Sequence, residues 1–321
     1  MNGPKIIVVA GATGSQGGGL VRAILADPSG EFAVRALTRD TGSAKAKALA
    51  EQGAEVVPAD LDDETGLREA FEGVHGVFAV TNFWQPRTPE QQRARTAAQR
   101  ELDQAGNIAR AAKAAGARHV IWSTLEDTRP FFGLDGSRVP TLDGDRYTVP
   151  HFDAKAEADE LFRAEGVPTT FLRTTFFFEG FFRLTAPRRE ADGHLVLAMP
   201  MAHARLSGIA AEDIGKTALG IFRRGEELIG RTISLAGDHL TGEEYATALS
   251  EAFGEPVTYR PIGFEQMRAA SVEIANMFQF YAESEKTFIG DRDLDAVREL
   301  NPELQTFATW LAAHKDAVPH D

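Results

Sequence analysis

The chain has 321 residues, 43% of them hydrophobic and 25% charged, so it can bury a sizeable core as one large or two small domains. Its formal net charge of −13 opposes binding along a nucleic-acid backbone and leaves any anionic cofactor dependent on a local positive site. With no cysteine, disulfides, thiolate nucleophiles and cysteine-ligated zinc are excluded, and a reducing compartment is suited.

Strand-like apolar runs alternate with helical patterns through the first half. The runs cover residues 5–10, 33–38, 55–58, 76–81, 118–123 and 169–173. The helical patterns between them cover 17–26, 44–52, 64–71, a long stretch at 90–115, and 152–164. This alternation predicts an α/β fold of the Rossmann type, a doubly wound parallel sheet with helices on both faces. The runs Ile6-Ile7-Val8-Val9 and Val120-Ile121-Trp122 are apolar without alternation, as strands covered on both faces require. The first apolar stretch starts early and runs straight into glycines, so it reads as a strand and not as a leader. Residues 174–184 carry Glu179 and Arg183 and are too short to span a bilayer. The expected location is the cytoplasm, with neither membrane nor nucleic acid as partner.

After Thr174 the pattern loosens. A smaller C-terminal α/β lobe over residues 175–321 is expected to cover the crevice of an NAD(P)-binding domain formed by 1–174. A late strand near 231–236 would return to that domain. Helices are predicted over 241–253, with Thr241 as cap and Glu244 three residues on, over 271–282 and over 301–314. Residues 129–150, rich in Gly, Asp and Pro, read as a mobile loop.

The first strand leads into Gly11-Ala12-Thr13-Gly14-Ser15-Gln16-Gly17 and then a helix. In this GxxGxxG, Gly11 allows the tight turn, Gly14 lets a pyrophosphate approach the backbone, and Gly17 lets the helix pack close to the strand. The helix start then offers free N–H groups to phosphate. The pattern by itself is weak, but it stands at the end of the first strand of a βαβ unit. The second strand ends Thr38-Arg39, where NAD-selective sites place an acid. A guanidinium there suits a 2′-phosphate, and Ser43, Lys45 and Lys47 can add donors, so NADP(H) is favoured. Asp40 is a competing partner for Arg39. After the third strand, Asp60 can accept from an adenine amino group with Leu61 against the ring, while Asp62 or Asp63 can cap the next helix. The fourth strand ends in Thr81, Asn82 and Phe83, beside where the ribose and nicotinamide should lie.

Together GATGSQGG, VRALTRD, GAEVVPADLDD, VTNFW, VPHFDAKAEADELF, GVPTTFLRTTFFFE, TGEEYA and ANMFQFYAE resemble, over nearly the whole chain, the NmrA-like family of atypical short-chain dehydrogenases/reductases. The resemblance implies cofactor contacts from the 11–17 turn (Gly11, Thr13, Gly14, Ser15, Gln16, Gly17), Arg39, Asp60, Leu61, Thr81, Asn82, Phe83 and Lys155. It also implies Phe177, Phe178, Glu179 and Gly180 on the nicotinamide side. Where the family often carries a lysine in the long helix, this chain has Gln104.

Ordinary members of the superfamily use Tyr-x-x-x-Lys on one helix with a serine after the fifth strand. Here His151 holds the tyrosine position, Lys155 is present and Ser123 is available as polariser. Three readings stay open. His151 is a general acid, since imidazoles titrate near neutrality; or it is a helix-start residue with no proton to transfer; or Lys155 alone supports chemistry. No histidine spacing supports a metal site. The phenylalanines at 176, 177, 178, 181 and 182 read mostly as core, with one or two facing the crevice. The resemblance points to a redox-responsive NADP(H)-binding regulator acting on a protein partner or as a homodimer. The alternative is an NADPH-dependent reductase of a small quinone, enone or carbonyl.

Overall fold

The computed structural model describes residues 3–320. Contacts divide the chain into two units: Met1–Asp127 with Pro150–Arg173 and Ile214–Ile233, and Thr128–Val149 with Thr174–Asp213 and Ser234–Asp321.

The first unit carries a seven-stranded sheet. Its strands are β1 (Lys5–Val9), β2 (Phe32–Thr38), β3 (Glu55–Pro58), β4 (Gly76–Ala79), β5 (His119–Thr124), β6 (Thr169–Arg173) and, from later in the chain, β11 (Thr232–Ser234). The order is β11-β6-β5-β4-β1-β2-β3, and β1 to β6 pair in parallel. The expected Rossmann-type architecture is what forms. Because β1 lies between β2 and β4, the order in which strands are added reverses beside it, and open α/β sheets bind ligands at the carboxyl ends of the strands at such a point. Ile7, Val8 and Val9 are fully buried because helices cover both faces.

One face is covered by α3 (Glu64–Ala70), α5 (Ala97–Ala114) and α7 (Pro150–Glu165), whose core includes Phe71, Ile108, Trp122 and Phe162. α5 packs along α7, which brings two functional side chains together below. α1 (Ser15–Leu25) and α8 (Ala211–Arg224) also cross closely. A Cβ on Gly215 of α8 would lie 2.1 Å from the backbone nitrogen of Leu20, so only glycine lets the two backbones meet.

The predicted long helix over 90–115 is two helices, α4 (Pro89–Ala94) and α5. Thr96 accepts from the Gln99 amide while the Gln99 side chain accepts from the Thr96 amide, and this capping box starts a new helix after Arg95 turns extended. Pro150 begins α7, where its missing N–H costs nothing, and Tyr147 stays outside the helix as expected.

The second unit holds two three-stranded sheets. One joins β7 (Phe176–Phe177), β10 (Leu206–Ile209) and β12 (Asp238–Leu240); the other joins β8 (Arg188–Arg189), β9 (Leu195–Met199) and β13 (Val257–Pro261). The 241–253 helix forms as α9 (Gly242–Phe253) with the predicted Thr241–Glu244 capping box. The predicted 301–314 helix begins only at Phe307, capped by Thr306, because Asn301 and Gln305 turn instead to the Asp213 carboxylate. The segment read as a mobile loop is tied down. Asn276, fully buried, donates from one side-chain nitrogen to the carbonyls of Pro140 and Thr148, and Tyr147 and Val149 are buried. Such hydrogen bonds are lost if the segment moves, which is why it is ordered despite its composition.

Candidate functional site

The turn after β1 has the geometry that phosphate approach requires. Gly11 sits at φ +62, in the left-handed region, and accepts from the Gly14 amide at 2.8 Å. A Cβ on Gly17 would stand 2.5 Å from the Gly11 carbonyl oxygen, so α1 can start this close to the strand only with glycine there. No side chain caps α1 and no acid lies in its first turn, leaving its N–H groups and positive end for an anion. A cavity of about 360 Å³ opens beside it, lined by Thr13, Ser15, Gly18, Arg22, Lys45 and Gln52 among others.

At the tip of β2 the competition foreseen for Arg39 does not occur. Asp40 accepts from the amide of Gly42, within its own loop, and exposed Arg39 has no side-chain hydrogen bond or ion pair among the described residues. Lys45 reaches the Thr13 carbonyl at 3.5 Å. Ser43 caps α2 (Ala44–Glu51): its hydroxyl accepts from the Ala46 amide and gives its proton to the Asp40 carbonyl, so in this arrangement it offers a phosphate no donor.

The loop after β3 is held from α4 and α5. Asp60 accepts from the Asp62 amide and remains exposed, Leu61 is half-buried with its carbonyl bonded by Asn107, and Asp63 caps α3. Gln104, at the position where a lysine was noted, donates to Asp62 at 3.1 Å, and Arg95 pairs with the same carboxylate at 2.7 Å. Gln104 therefore acts on the loop that carries Asp60 and Leu61. The loop after β4 is fixed by buried Arg100, whose guanidinium donates to the Asn82 carbonyl at 2.7 Å.

The centre of the site is a group that sequence reasoning missed in part. Lys155 Nζ donates to Glu101 Oε1 at 2.7 Å and to Thr81 Oγ1 at 2.8 Å, and lies 4.9 Å from the centre of the Trp122 ring. The Thr81 hydroxyl donates to Glu101 in turn. Glu101 is 1% exposed. A signal for it existed: it interrupts the apolar stripe of Ala98, Ala105, Ile108 and Ala112 on α5, where a lone charge must be paired.

His151, one helical turn before Lys155, is 7% exposed and lies among aromatic rings: Trp84 at 5.0 Å, Phe83 at 5.9 Å and Phe152 at 4.9 Å. Trp84 is 56% exposed, unusual for so large an apolar group. Ser123 departs from its expected role. It is 1% exposed and donates its proton to Gln16 Oε1 at 2.8 Å, tying β5 to the first turn of α1 rather than pointing a donor at a carbonyl.

The remaining expected residues belong to the second unit. Phe178 is fully buried against Phe307 and Trp310, so its ring is core, whereas Phe177 is half-buried. Phe176 and Phe181 are core as well, as the sequence led one to expect of most of the cluster. Glu179 accepts from the Ala211 amide through both oxygens at 3.1 Å, and burial raises its pKa above the ordinary value. Gly180 carries the edge of the Phe176 ring where a Cβ would sit. Among the described residues no three His, Asp or Glu side chains gather as metal ligands, and no helix is long and apolar enough to cross a membrane.

A parallel sheet with a dinucleotide-type glycine turn after its first strand, and a helix-borne lysine without its usual tyrosine, define a Rossmann-type protein of the atypical short-chain dehydrogenase class. A profile of the NmrA-like family matches residues 3–311, and the chain belongs to that family. It is 35% identical, over 178 residues, to an NmrA-like family domain-containing oxidoreductase of Aspergillus japonicus; that match spans 55% of this chain and 48% of the relative. It is 28% identical to an NAD(P)H azoreductase of Xenophilus azovorans, over 97% of this chain and 99% of that one. The fold matches the crystal structure of NmrA, a negative transcriptional regulator, in complex with NADP, with a TM-score of 0.73, 22% identity, and coverage of 97% of this chain and 95% of that one.

Proposed function

We propose that this chain binds NADP(H) through its first unit and acts as a redox-responsive regulator whose dehydrogenase motif is degenerate. The observation that carries the reading is an asymmetry within the site. The groups suited to binding a dinucleotide are in place: the Gly11–Gly17 cradle, an Arg39 with no competing acid, and Lys155 held by Glu101 and Thr81. The tyrosine–serine pair with which ordinary members of the superfamily move a proton is not, since His151 replaces the tyrosine and the Ser123 proton is given to Gln16. The turn takes the pyrophosphate, Arg39 and Lys45 take the 2′-phosphate, Asp60 and Leu61 take the adenine, and Lys155 takes the nicotinamide ribose. When bound, the cofactor supplies a hydride donor or acceptor at its nicotinamide ring. The NADP-bound regulator among the fold's relatives supports this reading as analogy.

A second reading rests on Trp84. Its exposed indole beside His151 forms an aromatic wall in the first unit, suited to a flat acceptor such as a quinone, enone or azo compound, and the azoreductase relative favours it. One measurement tests the cofactor assignment and a second separates the readings. NADPH titrated into purified protein should bind, and Arg39→Ala should weaken NADPH about 30-fold while NADH changes less than about threefold. Equal losses for both nucleotides would remove NADP selectivity. NADPH consumption with a panel of quinones, enones and azo compounds should be absent from binding-competent protein; turnover that disappears in Lys155→Ala would make the chain a reductase instead.

A further inference from the structure

Lys155 is an ammonium with three protons and no acceptor capacity, and two protons are already placed, on Glu101 and on Thr81. One remains for a ribose hydroxyl. Glu101 therefore does more than orient the lysine. It is a full negative charge, 1% exposed, matched against a positive charge that is 8% exposed. Charges removed from water act on their surroundings far more strongly than exposed ones.

We propose, on the basis of the dinucleotide reading, that Glu101 is the positioning residue that sets this site's preference between the oxidised and reduced cofactor. The two forms differ by the positive charge of the oxidised nicotinamide ring. With Glu101 in place the Lys155 group is electrically neutral and the cationic ring meets no net repulsion. Without it, the lysine stands uncompensated and opposes the oxidised form alone. Thr81 holds the ammonium without adding charge, so it serves both forms alike. A regulator that responds to the NADP⁺/NADPH ratio needs such an element, because a ligand shifts a protein only through differential affinity.

The test is direct binding of NADP⁺ and NADPH to full-length variants, read as the ratio of their dissociation constants. In Glu101→Gln the ratio should move about tenfold toward NADPH. Thr81→Val should weaken both forms equally. Lys155→Met, which leaves Glu101 charged, should move the ratio the opposite way, and the double variant Glu101→Gln/Lys155→Met, neutral again, should return it to within about threefold of the wild type. If Glu101→Gln does not fold, Lys155→Met and the double variant carry the same test. Both forms weakened equally in Glu101→Gln, or single variants moving the ratio in one direction, would make Glu101 merely structural and overturn the proposal. Wild-type protein binding neither form would instead overturn the dinucleotide reading itself.

Discussion

Gly17→Ala is expected to lower NADPH affinity by more than about 100-fold, equivalent to about 3 kcal/mol. The new Cβ would lie 2.5 Å from the Gly11 oxygen and 2.7 Å from the Ala10 oxygen, and both are backbone atoms that cannot rotate away. The helix start must then back off the strand, which moves the amides of residues 14–16 from the position where a pyrophosphate would meet them. The displaced contact also loosens the packing of α1 on β1, so a fall in thermal stability should accompany the loss of affinity. Gly290→Ala, where an added Cβ meets nothing within 4 Å, provides a control that should leave both quantities unchanged. Fluorescence titration and thermal melting of the two variants decide the matter. A folded Gly17→Ala protein binding within about threefold of the wild type would show that the turn does not contact the cofactor.

The second large effect concerns stability and pH. Burial raises the Asp159 carboxyl from 3.8 to about 6, although Trp122 donates to it at 3.0 Å. The native state therefore holds a proton that the unfolded chain has released, and stability falls as pH rises from about 4 to 6, by about 3 kcal/mol. His119 does the reverse. Burial lowers its pKa from 6.5 to about 4, so the unfolded chain takes the proton first and stability falls as pH drops through the same range, again by about 3 kcal/mol. The two slopes oppose each other and nearly cancel in the wild type. Asp159→Asn keeps an acceptor for the Trp122 indole and removes only the first slope. The variant should then gain about 3 kcal/mol between pH 4 and 6.5, and be about 2 kcal/mol more stable than the wild type at pH 7.5. Denaturant unfolding followed by tryptophan fluorescence across this range tests it. A variant whose pH profile runs parallel to that of the wild type would mean that Asp159 is ionised in the native state throughout.

Much of this protein is legible along the chain because the features concerned are local. The strand runs, the Thr241–Glu244 capping box, the proline that opens α7 and the glycine turn each depend on residues within a few positions of one another. Their chemistry acts wherever the remainder of the chain goes. The break at Thr96 was also written locally, as a Thr-x-x-Gln box, but an unbroken helical pattern on either side concealed it. The 129–150 segment has the composition of a mobile loop and is ordered because Asn276, more than a hundred residues away, supplies the hydrogen bonds it lacks.

The chain alone determined the Rossmann-type sheet, the place of the phosphate-facing turn, the arginine at the tip of β2 and the replacement of tyrosine by His151. Only the tertiary structure decided how those residues are used. It spent the Ser123 proton on Gln16, turned Asp40 away from Arg39, buried Phe178 and paired Lys155 with Glu101. Apart from the local bond of Asp40 to Gly42, each is a contact between groups distant in sequence, and which partner wins depends on distance, burial and a limited supply of protons. Those quantities exist only once the strands and helices have been brought together.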